Sequence, residues 1–544
     1  MSDHPEKALA ADKNGMSQSE QNADVCGDAE ADFPYHWLAL DVERDGFWGK
    51  IDRASRRVGE WFNPILVKEA RQSLKSRQFI ITFFLLLIAS CFWTVLGVIV
   101  NAPNVYYVPT GDAMIYGYYF VLAIPLIGMV PLAAQRSLAA EIDEQTFEML
   151  VITKLSSMRI VMGKLNSAML QMLIYFAAIV PCLAFTYLLR GIDLLTITTL
   201  VVVIFFTALV VTAAALMMAT LTEKRAGQTL ALLATIFVVF FAEIWCAVFC
   251  LDAILRRGVD SEELLFTALF IIVGLSCVAL FVKVAASRIA PVTENRSTGL
   301  RYLMFLQQLI WAGSIGVIFL YVDGDEDVVN FGNLIIGTYW LLMGTFMLAE
   351  SPELSPRVQR GLPSTFAGRA ILTWFNPGPG TGFVYAVATG TAGITVMALL
   401  GMTDGGRSSS GQSMLFAMVM VGYLTGYLGI VRLLMIPLSR RLGRAFTLPV
   451  SNIASVLLVS LLLPSVISVA TTGSTGGSYA TIDTFNWAWT ITQAIDRRFS
   501  PNLAVLILLV GGVIALLNLA FLFREFDYRR IAVPQRVLDD SAAE

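Results

Sequence analysis

Long apolar runs alternate with short polar connections over most of this 544-residue chain. An apolar run of about 18 or more residues is long enough to cross the hydrocarbon layer of a membrane as an α-helix. The pattern therefore predicts an all-α, polytopic helical membrane protein with about twelve transmembrane helices. We expect these spans at 79–100, 114–134, 168–189, 195–221, 230–251, 264–285, 303–322, 333–349, 383–400, 413–435, 448–470 and 501–523.

The composition excludes one large soluble fold. Hydrophobic residues make up 56% of the chain and charged residues only 15%, against roughly 25% charged residues in soluble domains. Soluble chains of this length divide into domains with charged surfaces, and this chain has too few charges to cover them. The net charge of −3 also gives no basis for a nucleic-acid partner.

Basic residues are distributed unevenly between alternate connections. If the N-terminus is cytosolic, only six of the 38 lysines and arginines fall on outer connections. These six are Arg190, Arg256, Arg257, Arg407, Arg497 and Arg498. Because basic residues are retained on the cytosolic side, both termini are predicted to be cytosolic. A span count that was wrong by one would reverse the side of every later connection and mix the basic-rich with the basic-poor connections. Because the asymmetry persists along the whole chain, it favours an even number of spans.

The chain divides into three predicted regions. Residues 1–60 form a cytosolic tail that is partly disordered and lacks the apolar core of a signal peptide. Residues 61–301 hold the first six spans, and residues 302–544 hold an additional membrane domain of about six helices. The tetrapeptide Trp-Phe-Asn-Pro occurs at 61–64 and again at 374–377, which indicates either a worn internal duplication or coincidence.

The longest outer connection is predicted at 471–500. It begins with a Gly/Ser/Thr-rich stretch, which is typical of a flexible connector, and then carries Trp487 and Trp489. Tryptophan is common at the membrane–water interface, and we expect both side chains there. A ligand-binding role is the alternative.

The segment before the first span predicts an amphipathic helix on the cytosolic membrane surface. Asn63 is suited to cap its first turn and Pro64 to occupy that turn. Leu66, Ala70 and Leu74 recur every four residues and form an apolar stripe. The other face is basic and carries Lys68, Arg71, Lys75 and Arg77. Such a helix lies flat, with its cations near anionic headgroups; a simple basic anchor is the alternative.

The predicted cytosolic loop between the second and third spans, Gln135–Lys164, combines carboxylates with exposed apolar side chains. Its helix-forming first part carries Glu141, Asp143, Glu144, Phe147, Glu148, Leu150 and Val151. Ser156 or Ser157 is suited to cap a second short helix that leads to Lys164. This chemistry is typical of a docking surface for a soluble partner, and a solvated turn between spans is the alternative.

Glu243 lies within the fifth predicted span, beside Trp245 and far from either end. An ionisable side chain at that depth is costly, so it marks a functional hypothesis. A hydrogen bond to a neighbouring helix would make its role structural. A position in the substrate path or in gating is the alternative.

Several kinds of catalytic chemistry are missing from the sequence. The two histidines, His4 and His36, both lie in the N-terminal region, which excludes histidine-based chemistry within the spans. The pair Gly163-Lys164 is followed by leucine and lacks the upstream glycine of the phosphate loop G-x-x-x-x-G-K-[ST]. We therefore expect no ATPase or hydrolase centre in this chain.

The two cytosolic segments resemble those of the membrane permease subunits of type-2 ABC transporters, which are mostly exporters. In that family a helix of the form Asn-Pro-hydrophobic-x-Lys-Glu precedes the first span, as the residues from Asn63 to Glu69 do here. The family's loop after the second span carries Arg, Glu, Gly-Thr-x-Glu-x-Leu, a Thr-Pro turn and Gly-Lys. The matching positions are Arg136, Glu141, Thr146, Glu148, Leu150, Thr153, Gly163 and Lys164. Gln145 replaces the glycine, and Leu155 stands near the place of the turn proline.

The resemblance covers 61–301 and implies a permease subunit that is not itself an enzyme. It implies an elbow helix with Asn63, Pro64, Lys68, Glu69 and Arg71. It also implies a loop that couples to a separate cytosolic ABC ATPase, with Glu141, Glu144, Thr146, Phe147, Glu148, Leu150 and Lys164. ATP would be used by that partner, and this chain would bind no cofactor. It would lie in the cell (inner or plasma) membrane, with a second copy, a second permease or its own second half as the other part of the transporter.

Two other functions fit a polytopic chain. One is a non-transporting membrane scaffold, which would not associate with an ATPase. The other is an ion-coupled secondary transporter with Glu243 as its proton site. The second is disfavoured because the sequence has no clear inverted repeat and few charges within its spans.

Overall fold

The computed structural model describes most of the chain from residue 64 onwards. The described residues are 64–102, 107–143, 156–222, 225–251, 254–255, 258–291, 294–350, 372–403, 410–442, 449–472, 481–495 and 499–525, with the single positions 359, 365 and 368. Within these residues there are helices and connections but no strand. The protein is therefore an all-α polytopic membrane protein, as the hydropathy pattern predicts.

A short helix, α1 (Pro64–Leu74), precedes a first set of six long helices. This first helix set consists of α2 (Arg77–Asn101), α3 (Gly111–Asp143), α4 (Ser157–Leu188), α5 (Leu194–Thr220), α6 (Arg225–Trp245) and α7 (Ser261–Ile289). A π-helical turn, Ile124–Met129, lies within α3, and another, Cys246–Leu251, follows α6 directly.

The second helix set follows in the same manner. It consists of α8 (Thr298–Tyr321), α9 (Glu326–Leu348), α10 (Pro379–Met402), α11 (Ser410–Leu442), α12 (449–472) and, after the nine-residue helix α13 (Trp487–Ile495), α14 (Pro501–Glu525). Helix α12 is made of Pro449–Leu457, a π-helical turn at Leu458–Leu462, and Leu463–Thr472.

Eleven of the described helices are long and apolar enough to cross a membrane. They match eleven of the twelve predicted spans, including the eighth and ninth, which are the shortest of the predicted runs. The remaining predicted span, 448–470, corresponds to α12, in which the apolar helix Asn452–Ile467 is shorter than the others.

Polar side chains fix where several helices begin. Ser76 accepts a hydrogen bond from the backbone nitrogen of Phe79 (3.1 Å) and so caps α2. Asp193 caps α5 by accepting from the backbone nitrogen and the hydroxyl of Thr196. Asp260 begins α7 with a reciprocal capping box. Such caps satisfy backbone donors that the first helical turn leaves without partners.

Each helix set has its own apolar core and one central helix. In the first set, α5 is central and contacts α3, α4, α6 and α7. In the second set, α11 is central and contacts α9, α10, α12 and α14. The principal contact between the sets is made by α7 and α8.

The seam between α7 and α8 contains hydrogen bonds as well as apolar contacts. Gln307 Nε2 donates to Cys277 Sγ (3.3 Å), and Trp311 Nε1 donates to Ser276 Oγ (3.2 Å). Tyr339 on α9 in turn donates to Gln307 Oε1 (2.9 Å). These side chains fix the register of the two helices that join the sets.

The segment 481–495, here called the inserted segment, is helical and packs against α11 and α12, where the sequence predicts a loop. At its end, Ala494 O accepts from Gln412, near the start of α11 (3.0 Å). Its beginning lies much further along α11, since Thr484 O accepts from Tyr423 (2.6 Å) and Phe485 O from Tyr427 (2.8 Å). At 1.5 Å per helical residue, the contacts from Gln412 to Tyr427 span about 22 Å of α11, which is most of a hydrocarbon thickness of ~30 Å.

Packing between helices explains why the inserted segment is tolerated at this depth. Non-helical backbone at membrane depth must be buried in protein or line a polar cavity. Thr484 is buried, and Asn486 donates to Ser465 Oγ on α12 (3.0 Å). Trp487 packs against the core of the second set. Trp487 is half-buried there, and its place in an interfacial belt stays a prediction.

Candidate functional site

The predicted elbow helix is present as α1 and lies against α4. Lys68, Arg71 and Lys75 are exposed, whereas Glu69 is only 8% exposed although it follows Lys68 directly. The cations therefore point away from the helix bundle and the carboxylate points into it. Asn63 lies outside the described residues, and Pro64 is the first residue of α1.

Glu69 belongs to a buried ionic cluster that we call the lysine clasp. Its centre is Lys164, in the second turn of α4, which is 4% exposed. The ammonium group donates to Glu69 Oε2 (3.2 Å), Glu141 Oε1 (3.0 Å) and Ser137 Oγ (3.0 Å). A lysine ammonium has three donors, so three acceptors compensate the loss of water around the buried charge.

The helical period of α3 places two of these acceptors together. Ser137 and Glu141 are four residues apart and therefore share one face of the helix. Both lie near the end of α3, whose 33 residues extend about 50 Å at the helical rise. That length exceeds the ~30 Å of a hydrocarbon layer, so the last turns of α3 continue the span beyond the membrane.

The structure corrects the predicted form of the loop between the second and third spans. The stretch Gln135–Asp143 is the end of α3, and no separate short helix leads to Lys164, because α4 begins at Ser157 and continues as the third span. Ser156 precedes α4 but makes no side-chain cap. Glu141 and Lys164 bind each other within the chain (3.0 Å) and so join the two ends of the connection.

The other predicted coupling residues lie in that connection. Glu144, Thr146, Phe147, Glu148 and Leu150 are outside the described residues. The clasp stands at the base of the connection, because Glu141 is in the last turn of α3 and Lys164 in the second turn of α4.

A polar cavity of about 200 Å³ adjoins the lysine clasp. It lies between α1, α2, α3 and α4, and Glu69 and Lys164 form part of its wall. Gln72, Ser76 and Gln171 add uncharged polar groups. Drug-sized ligands occupy pockets of about 300–1,000 Å³, so this space is a crevice under the elbow helix and is too small to be the path of a large cargo.

Glu243 lies near the end of α6 and is bonded to the neighbouring span. Tyr119 on α3 donates a hydrogen bond to Glu243 Oε2 (3.3 Å). Tyr119 is 1% exposed. The π-helical turns Ile124–Met129 and Cys246–Leu251 follow these two residues closely. The bond supplies the structural role considered for Glu243, since it joins α3 to α6 within the first core.

A second buried ionic cluster, the arginine clasp, is not evident from the sequence. Arg301, in the first turn of α8, is 1% exposed. It donates to Glu350 Oε2 (2.5 Å), beyond the end of α9, and to Trp374 O (2.5 Å), before α10. The backbone nitrogen of Gly378 also donates to Glu350 Oε2 (2.9 Å). In the sequence, the arginine clasp is marked only by one arginine at the start of a span and one glutamate after the next span.

The lysine clasp draws together the segments that resemble type-2 ABC permeases: the elbow helix, the end of the second span and the start of the third. Comparison of the whole chain with protein-family models, curated proteins and solved structures gave no match. The assignment of a function therefore depends on the residues and their geometry.

Proposed function

We propose that this protein is the membrane-spanning permease subunit of an ABC transporter, which moves a substrate across the membrane with the help of a separate ATPase subunit. The observation that carries the proposal is the lysine clasp. One buried ammonium group joins α1, α3 and α4 at the base of the connection that resembles a coupling loop. A loop that only linked two spans would not need three elements fixed at its base.

The clasp supports a mechanical role for this end of the molecule. Helices α3 and α4 are each continuous from the connection into the first core. A push on the connection is therefore transmitted to both helices, and α1 follows because Glu69 is bonded to Lys164 (3.2 Å). The clasp thus ties α1, α3 and α4 together at this end of the first helix set.

The side chains of the connection suggest which role belongs to this chain and which to the ATPase subunit. ATP is bound and hydrolysed by the partner, whose groove receives the connection at 144–155. In this chain Glu148 contributes charge and Phe147 contributes apolar contact to that groove, since apolar centres with charged rims are typical of such interfaces. Lys164 holds the connection at its base and does not contact the partner.

Co-purification tests the proposal. The double variant Phe147→Ala with Glu148→Arg should reduce the amount of ATPase that co-purifies with the tagged chain from native membranes. Asp327→Lys is the matched control, because it also reverses an exposed acidic charge but lies at the opposite end of the helices. If the double variant and the control retain the wild-type amount of ATPase, the coupling connection is wrongly assigned. If the wild type brings no ATPase, the proposed function is wrong.

A further inference from the structure

The proposed function makes no use of the cavity beneath α1. This cavity lies between α1, α2, α3 and α4 and has a volume of about 200 Å³. A water molecule takes up about 30 Å³ in the liquid, so the cavity has room for a group of several atoms. The side chains of its floor, walls and mouth indicate which chemical group that is.

The floor of the cavity offers a carboxylate oxygen that can accept a further hydrogen bond. Glu69 lines the cavity and is 8% exposed. Its Oε2 accepts from Lys164 (3.2 Å), and no described residue donates to its Oε1. The three donors of Lys164 are already directed to Glu69, Ser137 and Glu141, so none is left for this oxygen. Glu69 Oε1 is therefore open to a donor from outside the described residues.

The charge of the lysine clasp favours a cationic donor. The clasp contains two carboxylates, on Glu69 and Glu141, and one ammonium group, on Lys164, so its formal net charge is −1. A second ammonium group beside Glu69 would bring this charge to zero. Hydrogen bonds between an ammonium group and a carboxylate are also about twice as strong as those between neutral groups.

The walls of the cavity suit an organic ammonium group better than a metal ion. Phe79 and Tyr175 line it as a pair of rings with centroids 5.2 Å apart, and aromatic rings attract cations. Ser73 and Ser167, whose hydroxyl oxygens are 3.3 Å apart, add hydrogen-bond acceptors. A hard metal ion requires a shell of oxygen ligands, whereas the described lining residues include a single carboxylate.

The mouth of the cavity lies where α1 meets the first span. Gln78, in the first turn of α2, lines the cavity and is exposed. Gln72 and Ser76 line it as well, and each is preceded by an exposed cation, Arg71 or Lys75. Cations at the surface of a membrane attract the phosphates of lipid headgroups.

An exposed apolar face of α2 continues from the mouth. Ile81, Leu85 and Ile88 are each at least 64% exposed, and their helical spacing puts them on one face with Gln78. Such a face of a span meets lipid chains. The cavity, the cations and this face therefore occur in the order of the ammonium, the phosphate and the acyl chains of one phospholipid.

We propose that the cavity beneath α1 binds the primary ammonium group of a phospholipid with an ethanolamine headgroup. Glu69 Oε1 accepts a hydrogen bond from this ammonium group, while Arg71 and Lys75 contact the phosphate. The bound lipid adds a bridge between α1 and the lysine clasp, so the lipid composition of the membrane affects how firmly α1 is held. This inference is independent of any ATPase partner.

Native mass spectrometry of the full chain tests the proposal. The delipidated protein in detergent is titrated with phosphatidylethanolamine or phosphatidylcholine of identical acyl chains, and bound lipid is counted. The wild type should bind phosphatidylethanolamine about tenfold more tightly, because a choline headgroup has no N–H group to donate to Glu69. Glu69→Gln should remove this preference. Asp327→Asn, which also neutralises a carboxylate but at an exposed position, should retain it.

A second variant separates the cavity from its charge. Ala133→Leu narrows the cavity without changing a charged group, and it should also remove the preference for ethanolamine. Equal binding of the two lipids to the wild type would overturn the site. So would an unchanged preference in either variant that keeps the wild-type midpoint of thermal inactivation.

A soluble headgroup distinguishes a lipid from a free amine. Glycerophosphoethanolamine should displace the lipid only at much higher concentration, because it has no acyl chains to lie against α2. If it binds as tightly as the lipid, the ligand is a soluble amine and the assignment of a membrane lipid is wrong.

Discussion

At the scale of single residues, buried cations are paired with carboxylates at the ends of several helices. Lys164 and Arg301 are among the most buried polar side chains described, and each has carboxylate and neutral acceptors around it. An ion pair removed from water gains little net free energy, but the loss of one partner leaves a costly unpaired charge. Such clusters therefore fix geometry more than they stabilise the fold.

Lys164→Met should destabilise the protein by about 3–5 kcal/mol, because the buried carboxylate of Glu69 and the partly buried carboxylate of Glu141 lose their cation. Combining it with Glu69→Gln and Glu141→Gln should recover most of this loss, since no uncompensated charge remains. Thermal inactivation of the detergent-solubilised protein measures both effects. Equal loss in the single and the triple variant would mean that packing of the lysine stem, and not its charge, matters here.

Asp193 offers a prediction that depends on pH. The hydrogen bond from the Thr196 hydroxyl lowers the pKa of Asp193, which lies outside the spans. Because folding lowers this pKa, the charged cap contributes its full stabilisation at pH values above the ordinary aspartate pKa of about 4. This stabilisation is lost as the pH falls through the lowered pKa of the folded state.

Asp193→Ala should therefore cost about 1 kcal/mol near neutral pH, and Asp193→Asn should cost less because asparagine also caps helices. The difference between wild type and Asp193→Ala should shrink below about pH 4. Unfolding in denaturant at two pH values measures it. A difference that stays constant with pH would show that the charge of Asp193 does not contribute.

The sequence led to Lys164 and Glu141 because they belong to a motif with known spacing. It did not lead to the arginine clasp. Arg301 and Glu350 are separated by 49 positions, and no local pattern links an arginine on one span to a glutamate after the next. Such a pair is visible only when the order of the helices in space is known.

At the scale of helices, the hydropathy pattern predicted which helices exist better than it predicted how long they are. The spans were expected from apolar runs, so the polar ends of α3 and α4 were assigned to a loop. Glutamate, glutamine, lysine and arginine are nonetheless good helix formers, and both helices continue through them. The nine-residue α13 was missed because it is far too short to register as a span.

The crossing of α11 and α14 depends on glycine. A Cβ added at Gly511 would lie 2.7 Å from the carbonyl oxygen of Gly422, which is backbone and cannot move aside. A Cβ added at the neighbouring Gly512 would meet nothing within 4 Å. Gly511 therefore permits the close approach of α14 to α11, whereas Gly512 does not face a neighbouring helix.

Gly511→Ala should therefore destabilise the protein by about 1–3 kcal/mol through overpacking. Gly512→Ala should be neutral or stabilising by up to about 1 kcal/mol, because alanine is the better helix former. Midpoints of thermal inactivation and yields after extraction compare the two variants. Similar losses in both would mean that α14 does not pack on α11 through this face.

At the scale of the whole molecule, the two helix sets account for nearly the entire described chain. The sequence suggested a division near residue 301 but treated the second part as an addition of unknown kind. The two sets have the same pairs of helices in contact, and this agreement escaped detection because it depends on the arrangement of helices in space and not on short sequence motifs. The inserted segment escaped because its polar composition is also that of an outer loop.

Thiol labelling tests the depth of the inserted segment. In a chain whose six native cysteines are replaced by alanine, Thr484→Cys should not react with a membrane-impermeant maleimide added to either side. Thr484 is 5% exposed and lies beside Tyr423 within the bundle. Val322→Cys, in the exposed turn between α8 and α9, should react from one side. Equally fast labelling at both positions would contradict the buried position.

The seam between α7 and α8 has a mechanical consequence. Only residues 290–297 separate these helices along the chain, and Gln307 and Trp311 bond α8 to α7 within the membrane. Sliding along the seam would break those bonds, whereas a small rotation about it would keep them. A relative movement of the two helix sets that keeps these bonds is therefore a rotation about the seam. In such a rotation, the helices farthest from α7 and α8 would be displaced the most.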